Sequence, residues 1–231
     1  MPGESGGLLR RFLRLFFWHF YHGFAWTYDF VATVVSIGRW NDWIRCTLPY
    51  LKGSRILEIG HGPGHLQVDL RQRLPGLSIG LDESPQMGRI ARQRLLKAAC
   101  TDPNLVRGVG QQLPFAAATF DTVVATFPTE YIFDAETLQD IRRVIGPGGR
   151  FIVVPAAWIG RRNALDRLAA WLFRVTGQTP IVPARLIGER LRKPFEEADF
   201  AVTIDTVDIR SSQVLIVVGE TGTPTRNPEI K

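Results

Sequence analysis

The chain has 231 residues, enough for one large domain with modest additions, and a hydrophobic content of 45% supplies a sizeable core. Its two cysteines, Cys46 and Cys100, lie far apart, which excludes a disulfide scaffold or a cysteine metal or redox motif and suits a reducing cytoplasmic setting. The formal charge of +6 is uneven: residues 1–55 carry +4, residues 56–155 balance, residues 156–193 carry +6 and residues 194–231 carry −4.

Leu8 to Phe24 reads as a helix with Leu9, Leu13, Phe16, Phe17, Phe20 and Phe24 on one broad face and Arg10, Arg11 and Arg14 at its start. No small-residue cleavage site follows this apolar run. Arg14, His19, His22 and Asp29 interrupt the stretch from Phe12 to Gly38, so a spanning helix is not expected and a soluble or membrane-peripheral chain is. A second helix is expected from Trp40 to Leu51, completing an N-terminal helical segment over residues 1–54. Gly53 breaks the chain before an apolar strand from Arg55 to Ile59.

Strand and helix then alternate. Helices are expected from His65 to Leu74, from Ser84 to Ala98 and from Ala135 to Ile145; strands from Leu77 to Leu81, near Leu105–Arg107, from Phe120 to Thr126 and from Arg150 to Pro155. Ser84 can cap its helix with Pro85 at the first position, where a missing N–H costs nothing. Gly146–Gly149 reads as a tight turn. Short apolar strands between helices imply an α/β fold around a mostly parallel, doubly wound sheet. From 156 to 194 the rhythm changes to an arginine-rich helical stripe, Leu165 to Phe173, read as a cap insert. Ala201–Val207 and Val214–Val218 close the domain (55–219), and residues 220–231 read as a flexible tail.

The turn after the first strand is where an open parallel sheet binds its ligand. Here it reads Gly60-His61-Gly62-Pro63-Gly64, and glycines at alternate positions let backbone approach a ligand closely. A dinucleotide fingerprint would need glycine at 65, which is His65, so an oxidoreductase reading is disfavoured. Glu58, two residues before the turn, suits a cationic or amino-bearing ligand better than a phosphate. Asp82 ends the second strand one strand–helix–strand step later, where an acid can accept from both hydroxyls of a ribose.

The ordered set Glu58-Ile59-Gly60-His61-Gly62-Pro63-Gly64, Gly80-Leu81-Asp82-Glu83-Ser84-Pro85, Leu113-Pro114-Phe115 with Phe120-Asp121, and Arg143 to Gly149 resembles the class I S-adenosylmethionine-dependent methyltransferases. The resemblance implies a Rossmann-like sheet of seven strands whose last hairpin inserts one antiparallel strand, and S-adenosylmethionine as cofactor. It places Gly60, Gly62 and Gly64 under the methionine part, with Glu58 orienting the ammonium through the loop, and His61 of the same turn counts among the expected cofactor-binding residues. Asp82 would hold the ribose, Glu83 and Met87 would flank the adenine, and Thr126 would contact the cofactor through its backbone. The position that commonly carries an acid reading the adenine amino group is Val109, so Gly110 and Gln111 are the expected substitutes. No metal is expected. Val109 is also the support for an alternative reading, a non-catalytic methyltransferase-like interaction module.

Upstream, Tyr28-Asp29-Phe30, Ser36-Ile37-Gly38-Arg39-Trp40 and Trp43 resemble the N-terminal segment of the ubiquinone and menaquinone C-methyltransferases. Thr126-Phe127-Pro128-Thr129-Glu130-Tyr131 does not keep that subfamily's substrate-loop motif, so a relative with a different acceptor is expected. The acceptor would be a hydrophobic or amphiphilic small molecule, of the quinone-precursor or lipid-head-group class. Tyr28 is the expected catalytic residue, and His19, His22, His61, Glu130 and Tyr131 are further candidates for a general base. Arginine beside aromatic residues in the N-terminal segment and cap suits peripheral contact with an anionic membrane. Without a nucleic-acid-binding motif, the charge does not point to nucleic acid. Nothing in the sequence sets an oligomeric state.

Overall fold

The computed structural model describes residues 39–100, 102–159 and 184–222. The Leu8–Phe24 helix, Tyr28, the Leu165–Phe173 stripe and most of the tail lie outside the described residues.

Seven strands form one sheet: β1 (Arg55–Ile59), β2 (Leu77–Asp82), β3 (Leu105–Arg107), β4 (Phe120–Thr126), β5 (Ile145–Ile159), β6 (Ala201–Ile209) and β7 (Ser212–Glu220). Their order is β3-β2-β1-β4-β5-β7-β6. The first five strands pair in parallel, while β7 runs antiparallel to both β5 and β6. The sheet is therefore the seven-stranded, mostly parallel one expected. Strand order reverses between β1 and β4, which makes the gap above their carboxyl ends the ligand crevice of such a sheet.

Five helices cover the described sheet: α1 (Trp40–Arg45), α2 (His65–Arg73), α3 (Pro85–Lys97), α4 (Ala135–Val144) and α5 (Ala184–Glu197). Side-chain alternation sorts the core into two layers. Leu57, Ile59, Val123, Phe151 and Val153 join Leu138, Ile141 and Val144 of α4 and Phe195 of α5. Ile56, Val124, Ile152 and Val154 join Trp43 and Ile44 of α1 and Leu66 and Leu70 of α2. Phe195 lies parallel to Phe151, with centroids 5.3 Å apart and planes at 10°, and so seats α5 on the sheet.

Several expected boundaries shift for identifiable reasons. The helix foreseen from Trp40 to Leu51 stops at Arg45, and a single 3-10 turn covers Leu48–Tyr50. Pro49 cannot donate to the Arg45 carbonyl, and its ring would clash there. Ser84 caps α3 as expected, its hydroxyl accepting from the Met87 N–H at 3.3 Å. The tight turn foreseen at Gly146–Gly149 is instead an irregular stretch inside β5. Ile145 already pairs with Phe120, the ladder resumes at Thr122–Arg150, and the extra residues bulge out between them. The β5 strand also continues past Pro155 to Ile159, into what the sequence suggested was the start of the cap insert.

Candidate functional site

The crevice is built from four carboxyl-edge loops. The turn after β1 bends back over β2, with the N–H groups of Gly60 and His61 both donating to the Leu81 carbonyl, at 2.8 and 3.2 Å. Gly60, Gly62 and Gly64 have φ of 70°, 50° and 82°, a conformation that side chains rarely adopt. Their surroundings differ. A Cβ on Gly62 would meet nothing within 4 Å, and one on Gly60 would meet Tyr131 Oη alone, at 3.8 Å. A Cβ on Gly64 would stand 2.8 Å from the Cβ of Ala91, so Gly64 lets α2 and α3 approach. Two of the three glycines therefore face open crevice, and the third serves packing.

Asp82 ties the two loops together. Its Oδ2 accepts from the Gly62 N–H and its Oδ1 from the Ser84 N–H, both at 2.8 Å. Each oxygen keeps a lone pair for a further donor. Glu83 is exposed, while Met87 and Thr126 are half-buried.

Glu58 sits beneath the turn. Strand alternation turns it to the same side as Ile56, toward α2, where Gln67 Nε2 donates to its Oε2 at 2.8 Å. It is 2% exposed, and burial pushes its carboxyl up to about 8, with the Asp82 charge adding to the effect and the Gln67 hydrogen bond opposing it. His61 is also buried: its Nδ1 lies 2.7 Å from the Gly62 carbonyl, and burial lowers its pKa despite Asp82. The His61 ring braces the turn from below, where it lies against Gly80. That placement removes it from the crevice as a general base.

The β3–β4 connection completes the rim. Gly110 is buried, whereas Val109 and Gln111 are exposed. The Leu113-Pro114-Phe115 and Arg143 motifs form one clamp. Arg143 donates to the carbonyls of Leu113 at 3.0 Å and Phe115 at 2.6 Å, and pairs with Asp140 at 2.6 Å; Asp140 in turn accepts from the Leu113 N–H. Burial alone would raise the Asp140 carboxyl, but Arg143 and the Leu113 N–H hold it below its ordinary value.

Two features of the rim escape sequence reasoning. Tyr131, named only as a candidate base, packs its ring edge on Gly110: a Cβ built there would lie 2.7 Å from Tyr131 Cε2. Phe127, directly after β4, holds a φ of 49° while its N–H donates to the Val154 carbonyl at 2.8 Å. Its ring packs on Trp40, with centroids 4.4 Å apart and planes tilted by 32°, and leans on Trp43 at 6.0 Å. This aromatic packing offsets an unfavourable backbone and fixes α1 to the strand that ends in the crevice. Glu130 is exposed on the same loop. Among the described residues no group of three histidines, cysteines or acids could hold a metal.

This strand order, with a glycine turn after β1 and an acid closing β2, is that of the class I methyltransferase fold. The model of the ubiE/COQ5 methyltransferase family matches residues 17–178, more than half of the chain, and the chain belongs to that family. It is 34% identical over 140 residues to the demethylmenaquinone methyltransferase of Symbiobacterium thermophilum, covering 58% of this chain and 56% of that protein. The chain thus spans just over half the length of the curated relatives it matches. An S-adenosylmethionine-dependent methyltransferase of Thermotoga maritima shares the fold with a TM-score of 0.58 at 20% identity, covering 88% of this chain and 99% of that one. The cyclase SpnF does so too, with a TM-score of 0.58 at 15% identity over 80% and 81%. The fold alone therefore does not fix the reaction.

Proposed function

We propose that this chain transfers a methyl group from S-adenosylmethionine to a small hydrophobic acceptor of the quinone-precursor class. The observation that carries the reading is the pairing of an open glycine turn with Asp82, whose two oxygens are each held by one backbone N–H and retain a second acceptor site. A ribose with two adjacent hydroxyls matches that acceptor pair. The open face above Gly62 accommodates an amino-acid part, and Glu58 beneath supplies negative potential to a cation once ionised. Met87, half-buried, and Gly110, buried, would flank an adenine, and the exposed Gln111 would offer it an amide. Of the two acceptor classes expected from the sequence, the names of the curated relatives favour the quinone precursor over the lipid head group.

The bound cofactor supplies a sulfonium-activated methyl group, and transfer is an in-line displacement by the acceptor. This chain's part is to align and to exclude water. The glycine turn, Asp82 and the Thr126 backbone fix the donor, while Phe127 to Glu130 border the acceptor's side. His61 is buried beneath the turn with its Nδ1 against the Gly62 carbonyl, so we assign proton removal from the acceptor to another group. Tyr28 is the residue we assign to it. Contact with an anionic membrane through the arginine-rich flanks would bring a hydrophobic acceptor to the crevice.

Calorimetry tests the donor half: saturable binding of S-adenosylmethionine that Asp82→Ala weakens at least tenfold is expected, and its absence would overturn the reading. Mass spectrometry of lipid extracts incubated with methyl-labelled cofactor tests the acceptor half. A labelled quinone precursor is expected. Donor binding without any labelled product would favour the non-catalytic module.

A further inference from the structure

Tyr131 stands on a short 3-10 turn, Glu130–Phe133, that follows β4. The turn is anchored from the core side: Ile132 is fully buried, and the Phe133 ring lies 6.4 Å from Phe195. On the crevice side the Tyr131 ring reaches across the gap. Its Cε2 and Cδ2 edge rests on Gly110, at 2.7 and 3.5 Å from a Cβ built there, and its hydroxyl reaches to 3.8 Å from a Cβ built on Gly60. The side chain therefore bridges the loop at the purine end of the crevice and the turn at its amino-acid end. Burial, with the charges of Asp82 and Glu83, raises its phenol, so the ring stays neutral at physiological pH. Its hydroxyl forms no hydrogen bond with any described residue.

We propose that Tyr131 is the aromatic wall by which the crevice holds the cationic methyl donor in preference to its neutral product. The inference rests on reading the crevice as an S-adenosylmethionine site. With the amino-acid part over Gly60–Gly62 and the ribose at Asp82, the sulfur falls between them, in the gap that the Tyr131 ring spans. A cation beside an aromatic ring is attracted by the ring quadrupole, and the attraction grows when water is excluded. Loss of the methyl group removes the positive charge and leaves the rest of the molecule unchanged. The ring thus favours the donor and eases release of S-adenosylhomocysteine. Gly110 serves the same end, since any side chain there would push the ring out of the gap.

The test is a pair of dissociation constants, for S-adenosylmethionine and for S-adenosylhomocysteine, measured by calorimetry on the full chain. Tyr131→Leu and Tyr131→Met are expected to shift the ratio of the two constants about tenfold against the donor, the size of a desolvated cation–ring contact. Tyr131→Phe, which keeps the ring, is expected to leave the ratio within twofold. Equal weakening of both ligands in both aliphatic variants would make the ring simple packing and overturn the proposal. Binding of neither ligand by the unmodified chain would instead overturn the reading of the crevice itself. Thermal unfolding of each variant separates either result from loss of fold.

Discussion

Burial governs the behaviour of Glu58. Its carboxyl titrates near 8 in the folded chain, against an ordinary value near 4.5, so between those limits the folded chain carries a proton that the unfolded chain has lost. Stability therefore falls as pH rises through this window, by at most about 1.4 kcal/mol per pH unit. Urea unfolding between pH 6.5 and 8 should show this decline, and Glu58→Gln should flatten it. Burial lowers the pKa of His61 from its ordinary 6.5, so at the acid end of that range His61 works the other way, stability rising with pH as the unfolded imidazole gives up its proton, and the Glu58 decline is clearest toward pH 8. Gly60 was legible in the sequence because a left-handed turn demands glycine, and Asp82 because an acid ends the second strand one strand–helix–strand step after that turn. Gln67, which satisfies Glu58 from nine positions along the chain, and Tyr131, which reaches Gly110 from the next loop, were not. Their roles depend on distances between elements, and no local pattern encodes those.

The glycine turn divides its labour between helix packing and an open crevice, and the two uses can be separated. Gly64→Ala adds a methyl group 2.8 Å from Ala91 at a left-handed φ, and should lower stability by about 2–4 kcal/mol. Gly62→Ala carries the same backbone strain in open space, so it should cost about 1–2 kcal/mol while weakening cofactor binding more strongly. Thermal unfolding paired with calorimetry distinguishes these patterns. Phe127 allows a complementary measurement. Phe127→Ala loses the aromatic packing on Trp40 but keeps the strained φ, whereas Phe127→Gly loses both, so glycine should be more stable than alanine by about 1 kcal/mol in chemical denaturation. Short apolar runs, buried on both faces, made β1 and β4 readable to the residue. The expected turn at Gly146–Gly149 was misread because four glycine- and proline-rich positions mark a bulge as readily as a turn. Only the pairing of Ile145 with Phe120 decides between them.

Charge gathers at the flanks of the chain, while the block from 56 to 155 is neutral. Electrostatic attraction to anionic lipid should therefore depend on the flanks, and removal of residues 1–24 should sharply lower co-sedimentation with anionic vesicles. Undiminished sedimentation of the shortened chain would disprove the anchor. No helix among the described residues is long and apolar enough to cross a membrane. Sheet order and fold class were legible because parallel strands need crossovers and the motifs fell at successive strand ends; the site's roof was not, because it is assembled from loops of unrelated pattern. The reversal of strand order between β1 and β4 has a consequence for how such a chain diversifies. Glu58, Asp82, Met87 and Gly110 all come from one contiguous stretch on one side of that seam, whereas β4, the 3-10 turn and α1 border the other side. Apart from Thr126 and Tyr131, which face the donor, positions on the second side can change to recruit a new acceptor while the first side is inherited intact. A chain built this way can change its substrate without relearning its cofactor.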